Sequence, residues 1–144
     1  MRFFDTNILV YASTDQDPRK RDIAREVIQH SIEVNHDGCI STQILSEFCN
    51  VMYRKTNRTR EQIDTMLDYY RELLATDVTL DLVRRAIDVK EEYQIQFYDA
   101  LIVATAEKLG CLEIVSEDLN PGQVYRGIAV VNPFAVFPGA RPTR

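Results

Sequence analysis

The stretch Phe3-Phe4-Asp5-Thr6-Asn7-Ile8-Leu9-Val10-Tyr11 decides how this chain is read. Two aromatic residues make a short buried strand, and a carboxylate ends it at once. Thr6 and Asn7 lead into a second apolar run, which predicts a helical turn packed on the sheet. An ionised acid between two apolar segments is costly unless something positive compensates it. Asp5 is therefore a candidate functional residue as well as a strand end.

The same alternation continues downstream. Asp17-Pro18 is a helix start, with Asp17 as N-cap and Pro18 in the first turn, and the helix fades before His36-Asp37-Gly38. Cys39-Ile40-Ser41 is a second short strand, feeding a helix from about Thr42 to Arg54. That helix carries Ile44, Leu45, Phe48, Cys49, Val51 and Met52 at a 3.6-residue period, with Glu47 at the edge of the stripe. Thr59-Arg60-Glu61-Gln62 is a capping box, and the helix it opens places Ile63, Met66, Leu67, Tyr70 and Leu74 on one face. Another helix is expected from Asp81 to about Glu92. A further one runs from Tyr98 to Leu109 and stops at Gly110, with Asp99 in its first turn, where the helix dipole favours an acid. Leu112 to Val115 is a strand delivering Ser116-Glu117-Asp118, Asn120-Pro121-Gly122 is a turn, and Ile128 to Val131 is the last strand.

Strands alternating with helices imply a mostly parallel sheet covered on both faces. Nothing repeats and no Gly/Ser/Pro-rich linker divides the chain, so residues 1–144 read as one domain. In such folds ligands bind beyond the carboxyl ends of the strands. Asp5 and Asp118 are both expected there.

Composition excludes several classes. The apolar share of 45% and charged share of 27% are those of an ordinary globular protein. No apolar run is long enough to span a bilayer, and Asp5 interrupts the N-terminal apolar stretch too early for a secretory signal. The expected location is the cytoplasm, with no membrane partner. Cys39, Cys49 and Cys111 are odd in number, far apart and set among apolar residues, which predicts buried reduced thiols. The net charge of −5 argues against a nucleic-acid partner only superficially, because a carboxylate cluster that binds a cation contributes several of the negatives. The positives are grouped: Arg19-Lys20-Arg21, then Arg54, Lys55, Arg58 and Arg60, then Arg84-Arg85. Taken singly, each group is better explained by a solvated helix face. The second follows the Glu47 helix and is the best candidate for holding a nucleic-acid backbone.

Four acids share the property first noticed at Asp5. Asp118 follows Ile114-Val115-Ser116, Glu47 lies one turn from Ile44 and Val51, and Asp99 stands between Phe97-Tyr98 and Ala100-Leu101-Ile102. No Lys or Arg adjoins any of them in sequence. One divalent cation would compensate all four, and all-oxygen ligation suits Mg²⁺ or Mn²⁺. His30 and His36 flank a helix end and a glycine turn and read as surface residues. Mg²⁺ or Mn²⁺ in a carboxylate cage implies phosphodiester hydrolysis. The rival reading is a haloacid-dehalogenase-like phosphatase, which also uses an Asp after its first strand. That chemistry needs a second Asp two residues on, and Asn7 stands there.

The motifs resemble a known family. Phe4-Asp5-Thr6-Asn7-Ile8-Leu9-Val10-Tyr11-Ala12 is similar to the opening motif of PIN domains. Ser46-Glu47-Phe48, Tyr98-Asp99-Ala100-Leu101-Ile102 and Ser116-Glu117-Asp118-Leu119 resemble that family's later acidic motifs, in order. Ile128-Ala129-Val130-Val131-Asn132-Pro133-Phe134 resembles the end of VapC-type toxins. The resemblance implies a three-layer α/β/α sandwich around a short-stranded, mostly parallel sheet. It implies a Mg²⁺- or Mn²⁺-dependent endoribonuclease with Asp5, Glu47, Asp99 and Asp118 as its catalytic and metal-binding acids. Thr6 and Ser116 would be hydroxyls that help place metal, water or phosphate, and Asn7 would brace the loop. Many relatives carry Thr where this chain has Ser116. Glu117 would either join the acids or face solvent. The implied partners are RNA, a small antitoxin and a second copy of the chain. The alternatives are an RNA-processing nuclease of the same fold and a binding module that does not cut.

Overall fold

The computed structural model describes residues 1–135. Its elements follow the order β1 (Arg2–Phe4), α1 (Thr6–Ser13), α2 (Pro18–His30), β2 (Gly38–Ser41), α3 (Thr42–Lys55) and α4 (Arg60–Tyr70). There follow β3 (Leu74–Thr76), α5 (Leu80–Tyr93), α6 (Phe97–Lys108), β4 (Glu113–Val115), β5 (Val124–Tyr125) and β6 (Ile128–Val131). The sheet order is β3-β2-β1-β4-β6-β5, with β5–β6 antiparallel and every other pairing parallel. This is the expected α/β fold, a mostly parallel sheet flanked by helices.

Topology places the functional end. From β1 the chain steps outward through β2 to β3, then returns across the sheet to place β4 on the other side of β1. Crossovers of parallel strands are right-handed, so this reversal puts helices on both faces. It also opens a crevice between the carboxyl ends of β1 and β4, the place where open α/β sheets bind ligands. Asp5 follows β1 and Ser116 follows β4, so both border that crevice.

Local chemistry explains the boundaries. Asp17 caps α2 by accepting the Lys20 N–H at 3.1 Å. At the start of α4 the Thr59 hydroxyl and the Gln62 amide make the reciprocal capping box. Gly110 has φ +73° and ends α6, as a residue without Cβ does most readily. Gly38 answers a different need: a Cβ there would lie 2.8 Å from the Phe4 ring and 2.9 Å from Leu73. Only glycine lets β2 pass so close to β1's aromatic core.

Three expectations are corrected, and one strand is added that the sequence did not suggest. The turn after Asn7 is a full helix, α1, of 8 residues with Asp5 as its N-cap. Leu74 leaves the α4 face and opens β3, because a 3₁₀ turn at Arg71–Leu73 breaks the helical period. Val124–Tyr125 forms β5, an edge strand folded back on β6. Leu112 lies outside β4 and is 71% exposed. Cys39 and Cys111 are buried as expected, while Cys49 is only half-buried; the sulfurs of Cys39 and Cys111 are 3.2 Å apart, so residues distant in sequence touch in the core. Among the described residues no helix is long and apolar enough to cross a membrane.

Candidate active site

Asp5 is buried, and its cost is reduced from two sides. Thr6 donates its backbone N–H to Oδ1 at 2.7 Å, and Ser116 donates its hydroxyl to Oδ2 at 2.7 Å. Burial nonetheless dominates and pushes the carboxyl up to about 6, with the charges of Glu47 and Asp118 adding to the rise. A cation beside Asp5 would offset that cost.

Asn7 braces the crevice. Its Nδ2 stands 3.0 Å from Asp118 Oδ2 and 3.3 Å from Asp5 Oδ2, and its Oδ1 accepts the Glu117 N–H at 3.2 Å. The Ser116 hydroxyl also accepts the N–H groups of Asp118 and Leu119, at 3.1 and 3.2 Å, so the turn after β4 is wound around it. Glu47 comes from the middle of α3. The Thr6 hydroxyl donates to its Oε2 at 2.9 Å and the Gln43 amide to its Oε1 at 2.8 Å. Asp99, half-buried in the first turn of α6, is pushed up by burial and then by the charges of Asp118 and Glu47.

The four acids line one cleft of about 850 Å³, together with Thr6 and Asn7. None of the four has an ion-pair partner among the described residues. Carboxylates alone supply the charged donors, and such oxygen donors fit a hard divalent cation. Among the described residues no group of three acid, His or Cys side chains is drawn together closely enough to hold a metal ion by itself. An ion here would keep several waters, the habit of Mg²⁺, which dehydrates reluctantly.

Other candidates are placed elsewhere. Lys55 and Arg58 line a separate groove of about 410 Å³ beside α1, α3 and the turn into α4, and Arg54 and Arg60 are exposed and line neither cavity. Arg58 is committed to packing: its Nη2 donates to the Ser13 carbonyl at 2.6 Å. Glu117 turns from the acids and pairs with Lys20 at 2.8 Å, over the rings of Tyr11 and Phe134. His36 is exposed, His30 is half-buried, and neither borders the cleft.

The remaining lining escaped sequence reasoning. It includes Gln43, Ser46, Asn50, Val78, Gln96 and Tyr98. Gln43 alone left a signal, since it lies one helical turn before Glu47 on the same face.

Comparison with known proteins bears on this geometry. Residues 2–127 match the PIN domain family. By sequence the chain matches no curated protein. Among solved structures it is similar to a toxin–antitoxin complex from Klebsiella pneumoniae, at 18% identity and TM-score 0.67, covering 94% of this chain and 100% of that one. It also resembles VapC20 of Mycobacterium tuberculosis, a toxin that cleaves the sarcin-ricin loop, at 18% identity and TM-score 0.64 over 83% and 92% of the two chains. A third likeness is VapBC2 from Rickettsia felis bound to a promoter DNA fragment, at 19% identity and TM-score 0.64 over 90% and 96%. Identities this low establish a shared fold.

Proposed function

The chain belongs to the PIN domain family, and from that premise we propose that it is a divalent-metal-dependent endoribonuclease, the toxin of a toxin–antitoxin pair. The observation carrying this reading is the cleft between β1 and β4. There Asp5, Glu47, Asp99 and Asp118 share one cavity, and among the described residues no Lys or Arg pairs with any of them. A Mg²⁺ or Mn²⁺ ion held there supplies positive charge for the phosphate oxygens and makes a bound water more acidic. The protein's own groups prepare the place. Ser116 and Thr6 hold both oxygens of Asp5, and Asn7 keeps Asp118 beside it. Gln43 and the Thr6 hydroxyl aim Glu47. Asp118 is the exposed member of the four, the one most open to an incoming ion and to water.

An antitoxin partner, a homodimer and a cytoplasmic location belong to the same reading. Its support is the likeness to a toxin–antitoxin complex and to VapBC2, which is fold-level analogy. The test is cleavage of a mixed RNA pool with Mg²⁺, with Mn²⁺ and with EDTA, using Asp118→Asn beside the parent. Metal-dependent cleavage lost in Asp118→Asn is expected. Equal cleavage in EDTA, or full activity in the variant, defeats the assignment, and metal binding without cleavage favours the non-cutting module.

A further inference from the structure

The cleft is electrostatically lopsided. It carries four acids, and among the described residues no Lys or Arg lines it. Away from a cation at the carboxylates, an RNA phosphate would find no charged partner in that lining. The rest of the lining is neutral, an apolar and amide surface that includes Val78, Tyr98, Gln96 and Asn50. Such a surface suits a flat, uncharged, hydrogen-bonding group.

Tyr98 fixes what that group is. It is 61% exposed although it borders the cleft, and its ring rests edge-on against Phe97 at 5.7 Å. Its carbonyl accepts the Gln43 amide at 3.3 Å, and the same amide holds Glu47 at 2.8 Å. The residue bearing the ring is therefore tied to two of the acids, through Gln43 to Glu47 and through the chain to Asp99. We propose that Tyr98 is a stacking platform for one nucleobase next to the scissile phosphate. Aromatic faces stack on any base, and neighbouring amides can meet its edge. A base inside a duplex is already stacked on both faces and is closed to the ring. This inference rests on the ribonuclease reading above.

The chain contains no tryptophan, so Tyr98→Trp installs a single reporter. It is titrated with an unstructured oligoribonucleotide, with Ca²⁺ in place of Mg²⁺ to allow binding without turnover. Saturable quenching is expected with the single strand and none with a blunt duplex of the same sequence. Tyr53→Trp, exposed on α3 outside the cleft, stays bright. In cleavage assays Tyr98→Ala raises KM about tenfold with a smaller change in kcat, while Tyr98→Phe behaves as the parent. In a protein that cuts RNA, an unmoved fluorescence, an unmoved KM or equal quenching by duplex overturns the proposal and leaves the nuclease standing. A Tyr98→Ala protein that elutes as a smaller species than the parent assigns the ring to a subunit interface and also overturns it. A parent that neither binds nor cuts any RNA removes the nuclease reading, and this proposal with it.

Discussion

The hydroxyl of Ser116 donates to Asp5 Oδ2 at 2.7 Å, joining two strand ends that lie 111 residues apart. The same oxygen accepts two backbone N–H groups, so Ser116→Ala leaves Asp5 Oδ2 with only the longer 3.3 Å bond from Asn7 and removes the support of the turn. The expected loss is about 1–3 kcal/mol in urea denaturation. It should also raise the Asp5 carboxyl further, since the Ser116 hydrogen bond now holds it down. Ser116→Thr keeps the hydroxyl and should recover most of the stability. A Ser116→Ala protein as stable as the parent would show that the hydroxyl joins nothing.

Asp5 makes stability depend on pH in an uncommon direction for an acid. Its carboxyl rises from an ordinary value near 3.8 to about 6 on folding, so the folded state holds the proton more tightly than the unfolded. The metal-free protein should therefore lose stability as pH rises from about 4 through 6, by about 3 kcal/mol from this group. Asp99, shifted the same way, adds to the slope. Asp5→Asn removes the charge with little change of shape and should be more stable than the parent at pH 7.5, though inactive on RNA. Urea unfolding in EDTA across this range checks it, and a parent that gains stability toward pH 7 contradicts it.

Metal should reverse that penalty. Mn²⁺ at about a hundred times its dissociation constant stabilises a folded-state site by about 2.7 kcal/mol, which thermal scans register as a raised Tm. Protons compete for the same oxygens, so the rise should be larger at pH 7.5 than at pH 5. Asp118→Asn should shrink it. No rise in the parent at millimolar metal would leave the four acids without their counter-charge.

The two arginines beside α4 should behave differently. Arg58→Ala loses the bond to the Ser13 carbonyl and should destabilise the fold by about 1 kcal/mol or more. Arg60 is exposed, so Arg60→Ala should leave stability unchanged. If this arm holds RNA, Arg60→Ala lowers the salt dependence of binding, because a protein that neutralises fewer phosphates displaces fewer counterions. An unaltered salt slope returns Arg60 to the solvated face.

Features written in neighbouring residues are legible in the chain itself: Asp17-Pro18, the Thr59–Gln62 box and Gly110 all mark real helix ends. The acids are legible too, because a carboxylate beside apolar residues departs from the pattern of its segment. Edge strands β3 and β5 are not. With three and two residues, partly exposed, they carry no alternation long enough to detect. Asn50, Gln96 and Tyr98 are equally silent, since a neutral side chain has no anomalous setting until the cleft around it exists. The approach of Cys39 to Cys111, 72 residues apart, depends wholly on β1 lying between β2 and β4.

That placement of β4 also sets a time order during synthesis. A nascent chain made only to residue 110 already contains Asp5, Glu47 and Asp99, but β1 has a neighbour on one side alone. Asp5 then lacks both the Ser116 hydroxyl and the Val115 carbonyl that its own N–H reaches at 3.0 Å. The cleft assembles only once residues 113–118 have left the ribosome. Residues 113–118 therefore close the site late in synthesis: a chain made only to residue 110 carries three of the four acids but not the strand and the hydroxyl that hold Asp5.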